Sequence, residues 1–192
     1  MTDTADRQQF TTRDYVLIPL FTALTCAGGF LRIPVPPVPV TLQTLFVYLA
    51  GLVLGKSRGV YSQLLFLVIG LAGLPVFSGG GGPSYVLRPT FGYLLGFPLA
   101  AWWMGAGQRL HQQQRPAALA GICAAAVLSI LIPGTVYLYI TLSLVSAAEA
   151  AVSFQSVLFG GFLLFLPAET SKIFIALLLM KKISGYIGEE AG

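Results

Sequence analysis

Six long apolar runs, with nearly all the charge confined to the short segments between them, decide what this chain can fold into. The runs are Tyr15–Leu31, Val40–Leu54, Val60–Phe77, Phe91–Ala106, Ala117–Leu144 and Phe154–Met180. A helix rises about 1.5 Å per residue, so roughly 20 residues cross a hydrocarbon core about 30 Å thick. The second run is short, and the fifth and sixth must tilt or overrun the bilayer. Charged residues make up 9% of the 192 and hydrophobic ones 56%, with mean hydropathy +0.81. A soluble domain carries about 25% charged residues, and this chain lacks the polar surface for one. The expected class is therefore a single all-α membrane domain over residues 1–192 with six transmembrane helices. Its twelve prolines and twenty-two glycines fit that class, because neighbouring helices satisfy the backbone groups they free.

The basic residues set an orientation. Arg7 and Arg13 precede the first run, Lys56 and Arg58 join the second to the third, Arg109 and Arg115 join the fourth to the fifth, and Lys181 and Lys182 follow the sixth. All eight fall on one side of a six-span arrangement, while the opposite connections hold Arg32, Arg88 and Glu149. The positive-inside rule then places both termini in the cytoplasm. On this reading the net charge of +4 reports topology, and a nucleic-acid partner is not expected. The polar start MTDTADRQQF gives no sign of a removable signal peptide. Cys26 and Cys123 both lie in apolar runs and read as small buried hydrophobes.

Inside the last run a carboxylate and an ammonium stand three residues apart, Glu169 and Lys172. A charge at bilayer depth costs on the order of 3 kcal/mol or more and marks a polar task. Positions i and i+3 share a helix face, so both address one cavity. A purely structural ion pair is the plain alternative, although desolvation leaves such a pair little advantage over apolar packing. Pro167 just ahead is expected to loosen the helix and kink it. Arg88 offers a planar fork suited to a carboxylate, and Gln43 supplies donor and acceptor together. Tyr85 and Tyr93 are suited to enclosing an aliphatic chain.

Two connections on the outward side stand out. Ile33–Pro39 reads IPVPPVP, whose prolines favour a stiff polyproline-II strand. Between the third and fourth runs lie four consecutive glycines, Gly79 to Gly82, followed by Ser84, Tyr85 and Arg88. Glycines let backbone approach a ligand and present N–H donors, so Gly80, Gly81, Ser84 and Tyr85 join the candidate site as parts of a lid; a mobile loop is the plain alternative.

Other signals lead nowhere. Ala50–Ser57 reads AGLVLGKS, a relaxed phosphate-loop pattern, but it sits at the end of an apolar run without a strand before it. His111 falls in the polar segment RLHQQQR and reads as a surface residue. The aspartates, Asp3, Asp6 and Asp14, cluster at the amino terminus, so no residue set for hydrolysis, no metal site and no cofactor site is expected. Ala23 and Ala27 form a small-x-x-x-small pair that permits close helix approach.

Taken in order, PVPPVPVTLQTL (Pro34–Leu45), AGLVLG (Ala50–Gly55), GLAGLPVFSGGGG (Gly70–Gly82), RPTFGYLLGF (Arg88–Phe97) and LPAETSK (Leu166–Lys172) resemble the BioY family. Its members are the biotin-capturing S components of energy-coupling-factor transporters. The resemblance implies a six-helix S-component fold in a prokaryotic cell membrane, with the vitamin site near the outer face under the first and third connections. It implies biotin as ligand, Arg88, Glu169 and Lys172 in the binding region, and Ala23 and Ala27 as the face that docks onto a transmembrane coupling subunit. Two separate ATPase subunits would then hydrolyse ATP, and this chain would not be an enzyme. The family usually carries PGD ahead of its lysine where this chain has Pro167-Ala168-Glu169, a side chain one methylene longer. Alternatives are an S component for another vitamin such as lipoate or thiamine, a lipid-handling membrane enzyme with Glu169 as base, and a structural membrane subunit.

Overall fold

A computed structural model describes residues 10–113, 115–145 and 153–189. Asp3, Asp6, Arg7 and Glu149, and the side chain of His111, lie outside the described set. Eight α-helices follow one another among the described residues: α1 (Thr12–Phe30), α2 (Gln43–Leu54), α3 (Lys56–Leu71), α4 (Phe91–Leu95), α5 (Phe97–Gln112), α6 (Pro116–Val145), α7 (Phe154–Gly161) and α8 (Leu166–Glu189). By length and composition, the stretches Pro116–Leu144 and Phe154–Lys182 are long and apolar enough to cross a membrane.

Helix α1 begins where Asp14 accepts hydrogen bonds from the Thr11 amide (2.8 Å) and hydroxyl (2.9 Å), which satisfies donors that the first turn cannot. The Thr11 amide bond is the largest influence holding the Asp14 carboxyl below its ordinary pKa, and Arg58 adds to it. The Arg58 Nε lies 2.9 Å from the same carboxylate. This ion pair ties the start of α1 to the α2–α3 joint.

Helix α2 is the centre of the bundle, packed by α1, α3, α5 and α8. Its Val47, Tyr48, Ala50 and Leu52 are fully buried. Gly51 lets α5 cross closely, since a Cβ built there would lie 2.3 Å from the Ala101 carbonyl oxygen. That contact is with backbone and has no flexible end to move aside. Gly51→Val is therefore expected to destabilise the chain by about 1–3 kcal/mol or more and lower its melting temperature in detergent. An unchanged melting temperature would mean that α2 and α5 separate freely.

Several apolar runs do not become single helices. The fourth divides at Gly96 into α4 and α5, and the third is helical only as far as Leu71. The sixth divides into α7 and α8 through a 3₁₀ turn at Leu163–Phe165. The expected kink at Pro167 is thus corrected: the break lies upstream, and Pro167 is the second residue of α8. There its missing N–H removes no helical bond, so it starts a helix instead of bending one.

The first connection also differs from an extended proline strand. It doubles back as a hairpin, β1 (Arg32–Ile33) against β2 (Val40–Thr41), with Arg32 opposite Thr41 and Ile33 opposite Val40. Pairing satisfies backbone groups that an isolated proline strand would leave to water. The AGLVLGKS segment is a helix–helix joint: α2 ends at Leu54, Gly55 turns with φ +81°, and α3 begins at Lys56.

Candidate ligand-binding site

The break between α7 and α8 sets the site. It leaves the Gly161 carbonyl without a helical donor, and the Tyr93 hydroxyl (2.7 Å) and Thr135 hydroxyl (3.2 Å) donate to it. Helix α8 then starts afresh at Leu166, which turns Glu169 and Lys172 toward α2 within its first two turns. Both are buried, at 3% and 6% exposure.

The buried pair is saturated on one side and open on the other. Lys172 Nζ donates to Glu169 Oε1 at 2.7 Å and to Thr44 Oγ1 at 2.8 Å. Thr44 in turn donates to Oε1 at 3.1 Å, and Tyr48 donates to Oε2 at 2.6 Å. Three donors thus hold the carboxylate. A buried charge pair is tolerated when hydrogen bonds satisfy its remaining valences, and α2 supplies them. The ammonium has three N–H donors, of which two are engaged among the described residues.

A narrow cleft of about 50 Å³ opens beside this cluster. Gln43, Thr44, Tyr93, Phe97, Glu169 and Lys172 line it, together with Val38 and Thr41 of the hairpin and Ser78 and Thr90 of the third connection. The two connections are joined above it. Arg32 Nη1 donates to the Ser78 carbonyl, and Gln43 Nε2 reaches the Val76 carbonyl at 3.5 Å. Of the residues expected from the sequence, Gln43, Tyr93, Glu169 and Lys172 converge here, although the Tyr93 hydroxyl is committed to Gly161.

The other expected residues sit around the rim. The Tyr85 ring is buried, and its hydroxyl lies 3.1 Å from Thr90 Oγ1 and 3.5 Å from Ser78 Oγ, both cleft-lining residues. Arg88 is exposed and its guanidinium lies over the Tyr85 ring, 5.5 Å from the centroid. Ser84 is exposed and does not line the cleft. In the glycine run, two of the expected N–H donors are engaged within the chain. Gly80 N donates to Phe77 O (3.1 Å) within the loop, and Gly82 N to Gly70 O (2.8 Å) near the end of α3. Gly81 is there for close packing, since a Cβ would fall 2.0 Å from the Leu74 carbonyl oxygen.

Thr44 and Tyr48 belong to the buried cluster, and the sequence reading did not single them out. Their signal was present: two hydroxyls at i and i+4 in an apolar run, on one helix face and adjacent to Gln43. Elsewhere, Ala23 and Ala27 are exposed on an apolar groove between α1 and α3, beside Pro19, Cys26, Phe30, Leu65 and Ile69. Cys26 and Cys123 are free thiols, each only half-buried. Among the described residues no group of His, Cys, Asp and Glu side chains is placed to hold a metal.

Comparison with known proteins places the chain in a family. The BioY family profile matches residues 2–189. A "Biotin transporter BioY" of Rhizobium etli is 35% identical over 178 residues, covering 90% of this chain and 93% of that protein. A "Probable biotin transporter BioY" of Lysinibacillus sphaericus is 56% identical over 98 residues, covering 51% of this chain and 50% of that protein. The chain thus spans about half the length of several curated relatives that it matches, and nearly all of the Rhizobium protein. A crystal structure of the S-component for biotin from an ECF-type ABC transporter superposes with a TM-score of 0.78 at 23% identity, over 92% of this chain and 95% of that one. With a match over almost its whole length and a full-length relative at this identity, the chain belongs to the BioY family.

Proposed function

We propose that this chain captures biotin at the outer face of a prokaryotic cell membrane and delivers it to an energy-coupling-factor module. The observation that carries this reading is the buried Lys172–Glu169–Thr44–Tyr48 cluster at the floor of a cleft roofed by the first and third connections. Biotin combines a ureido ring, an apolar valerate and a carboxylate. The free N–H of Lys172 suits the ureido oxygen, and Gln43 suits the ureido N–H groups through its amide oxygen. Phe97, Leu94 and Tyr93 enclose the apolar part, and Arg88 on its Tyr85 platform meets the carboxylate at the mouth. A cleft of about 50 Å³ holds only a few waters, so the roof must move for a vitamin to enter.

In this reading the chain has six spans with both termini in the cytoplasm. The Asp14–Arg58 ion pair supports it by bringing the start of α1 to the same end as the basic α2–α3 joint. Large exposed apolar side chains such as Val68, Leu99, Val136 and Phe174 suit a surrounding of lipid. The Ala23–Ala27 groove docks the transmembrane coupling subunit, and ATP is hydrolysed by two separate subunits.

Isothermal titration of the purified chain with biotin, biocytin and lipoate tests the ligand. Saturable biotin binding is expected, and a preference for lipoate would reject the assignment. Arg88→Ala is expected to weaken biotin binding about tenfold, as the loss of one charge-assisted hydrogen bond at an exposed site. Arg58→Ala, whose charge serves Asp14, should leave affinity unchanged. Equal affinity in the Arg88 variant would place the carboxylate elsewhere.

A further inference from the structure

A second polar cleft lies at the far end of the bundle, where α2, α3 and α5 meet. Gly55, Lys56, Ser57, Arg58, Gly105, Gln108 and Arg109 line most of it. The backbones of α5 and the α2–α3 joint touch here, since a Cβ on Gly105 would lie 2.4 Å from the Lys56 nitrogen. The cleft is therefore held by packing rather than by a mobile loop. Of its three cations, only Arg58 has an acidic partner among the described residues, Asp14. Lys56 and Arg109 are exposed and form no ion pair among those residues.

The surroundings say what kind of anion suits it. The Lys56 ammonium lies 5.3 Å from the centroid of the Trp102 ring, and Trp102 packs edge-on against Trp103. Trp102 is 40% exposed, so its ring is available to lipid. Tryptophan favours the level of lipid headgroups, where its ring is half in hydrocarbon and its N–H can meet water. A cleft holding two unpaired cations at that level matches an anionic headgroup whose chains run down the apolar face of α5, past the exposed Leu99. We propose that this cleft binds the phosphate of an anionic membrane lipid, with Lys56 and Arg109 as its cationic contacts. The proposal rests on the membrane insertion argued above but not on the identity of the vitamin.

The test uses the full chain in nanodiscs that contain phosphatidylglycerol, phosphatidylcholine or both, with retained lipid read by native mass spectrometry. Selective retention of phosphatidylglycerol is expected, reduced about tenfold or more in the Lys56→Ala/Arg109→Ala double variant and largely kept in Lys56→Arg. Melting curves of the same samples report folding, and biotin titration keeps the two ideas separable. If biotin binding fails in every sample while charge-dependent lipid retention persists, the vitamin assignment falls and this site stands. Equal retention of both lipids, or undiminished phosphatidylglycerol in the double variant, overturns the site. Displacement of the lipid by millimolar inorganic phosphate would assign the cleft to a soluble anion instead. Loss of coupling-subunit assembly in the double variant with lipid retention unchanged would assign it to a protein partner.

Discussion

Lys172→Ala is expected to abolish measurable biotin binding and to destabilise the protein at the same time. The substitution removes a cleft-lining donor with a free N–H and leaves the Glu169 carboxylate buried without its counter-charge. Breaking a buried pair from one side costs about 3–5 kcal/mol, more than either member contributes on its own. Replacing both Glu169 and Lys172 by Leu should restore thermal stability while leaving binding absent, because no unpaired charge then remains. Tyr48 and Thr44 would lose their acceptor in that variant, which limits how far stability recovers. Melting curves and biotin titration of the single and double variants check this together. A Lys172→Ala protein that binds biotin as tightly as the parent would reduce the cluster to a structural ion pair. Within the same series Glu169→Gln should weaken binding, because a neutral amide no longer fixes the ammonium. Glu169→Asp should keep most affinity only if Tyr48 follows the shortened side chain.

Ala27→Trp is expected to prevent assembly with the coupling subunit while leaving biotin affinity unchanged. Ala27 is exposed on the α1–α3 groove, whereas the cleft lies on the α2–α8 side of the bundle. Small residues allow helix backbones to approach closely, and an indole there holds them apart. Co-purification with the coupling module reads assembly, and titration of the isolated chain reads capture. Intact assembly would leave Ala23 and Ala27 with a packing role alone. Loss of both properties would mean that the groove and the cleft are coupled through α1.

Much of the site was legible because charge in an apolar run is costly and therefore rare. Glu169 and Lys172 stood out for that reason, and i, i+3 spacing put them on one face before any fold was known. Thr44 and Tyr48 did not stand out, because hydroxyls are common in membrane helices and only the packing of α2 against α8 gives them a carboxylate to hold. The glycine run was legible as backbone that must approach something closely. The carbonyls it meets, those of Gly70 near the end of α3 and of Leu74, are brought there only by the fold.

By itself, the sequence determined the class of solvent, the helical character and the presence of a buried charge pair. These follow from composition and from periodicities of a few residues, which local chemistry enforces regardless of topology. Helix breaks were decided by tertiary structure. The division of the sixth run at Gly161 persists because Tyr93 and Thr135, 68 and 26 residues away, satisfy the freed carbonyl. The roof over the cleft likewise depends on Arg32 reaching Ser78, a contact across 46 residues. Such contacts join groups that no local pattern connects, and a buried polar group is stable only where the fold brings it a partner.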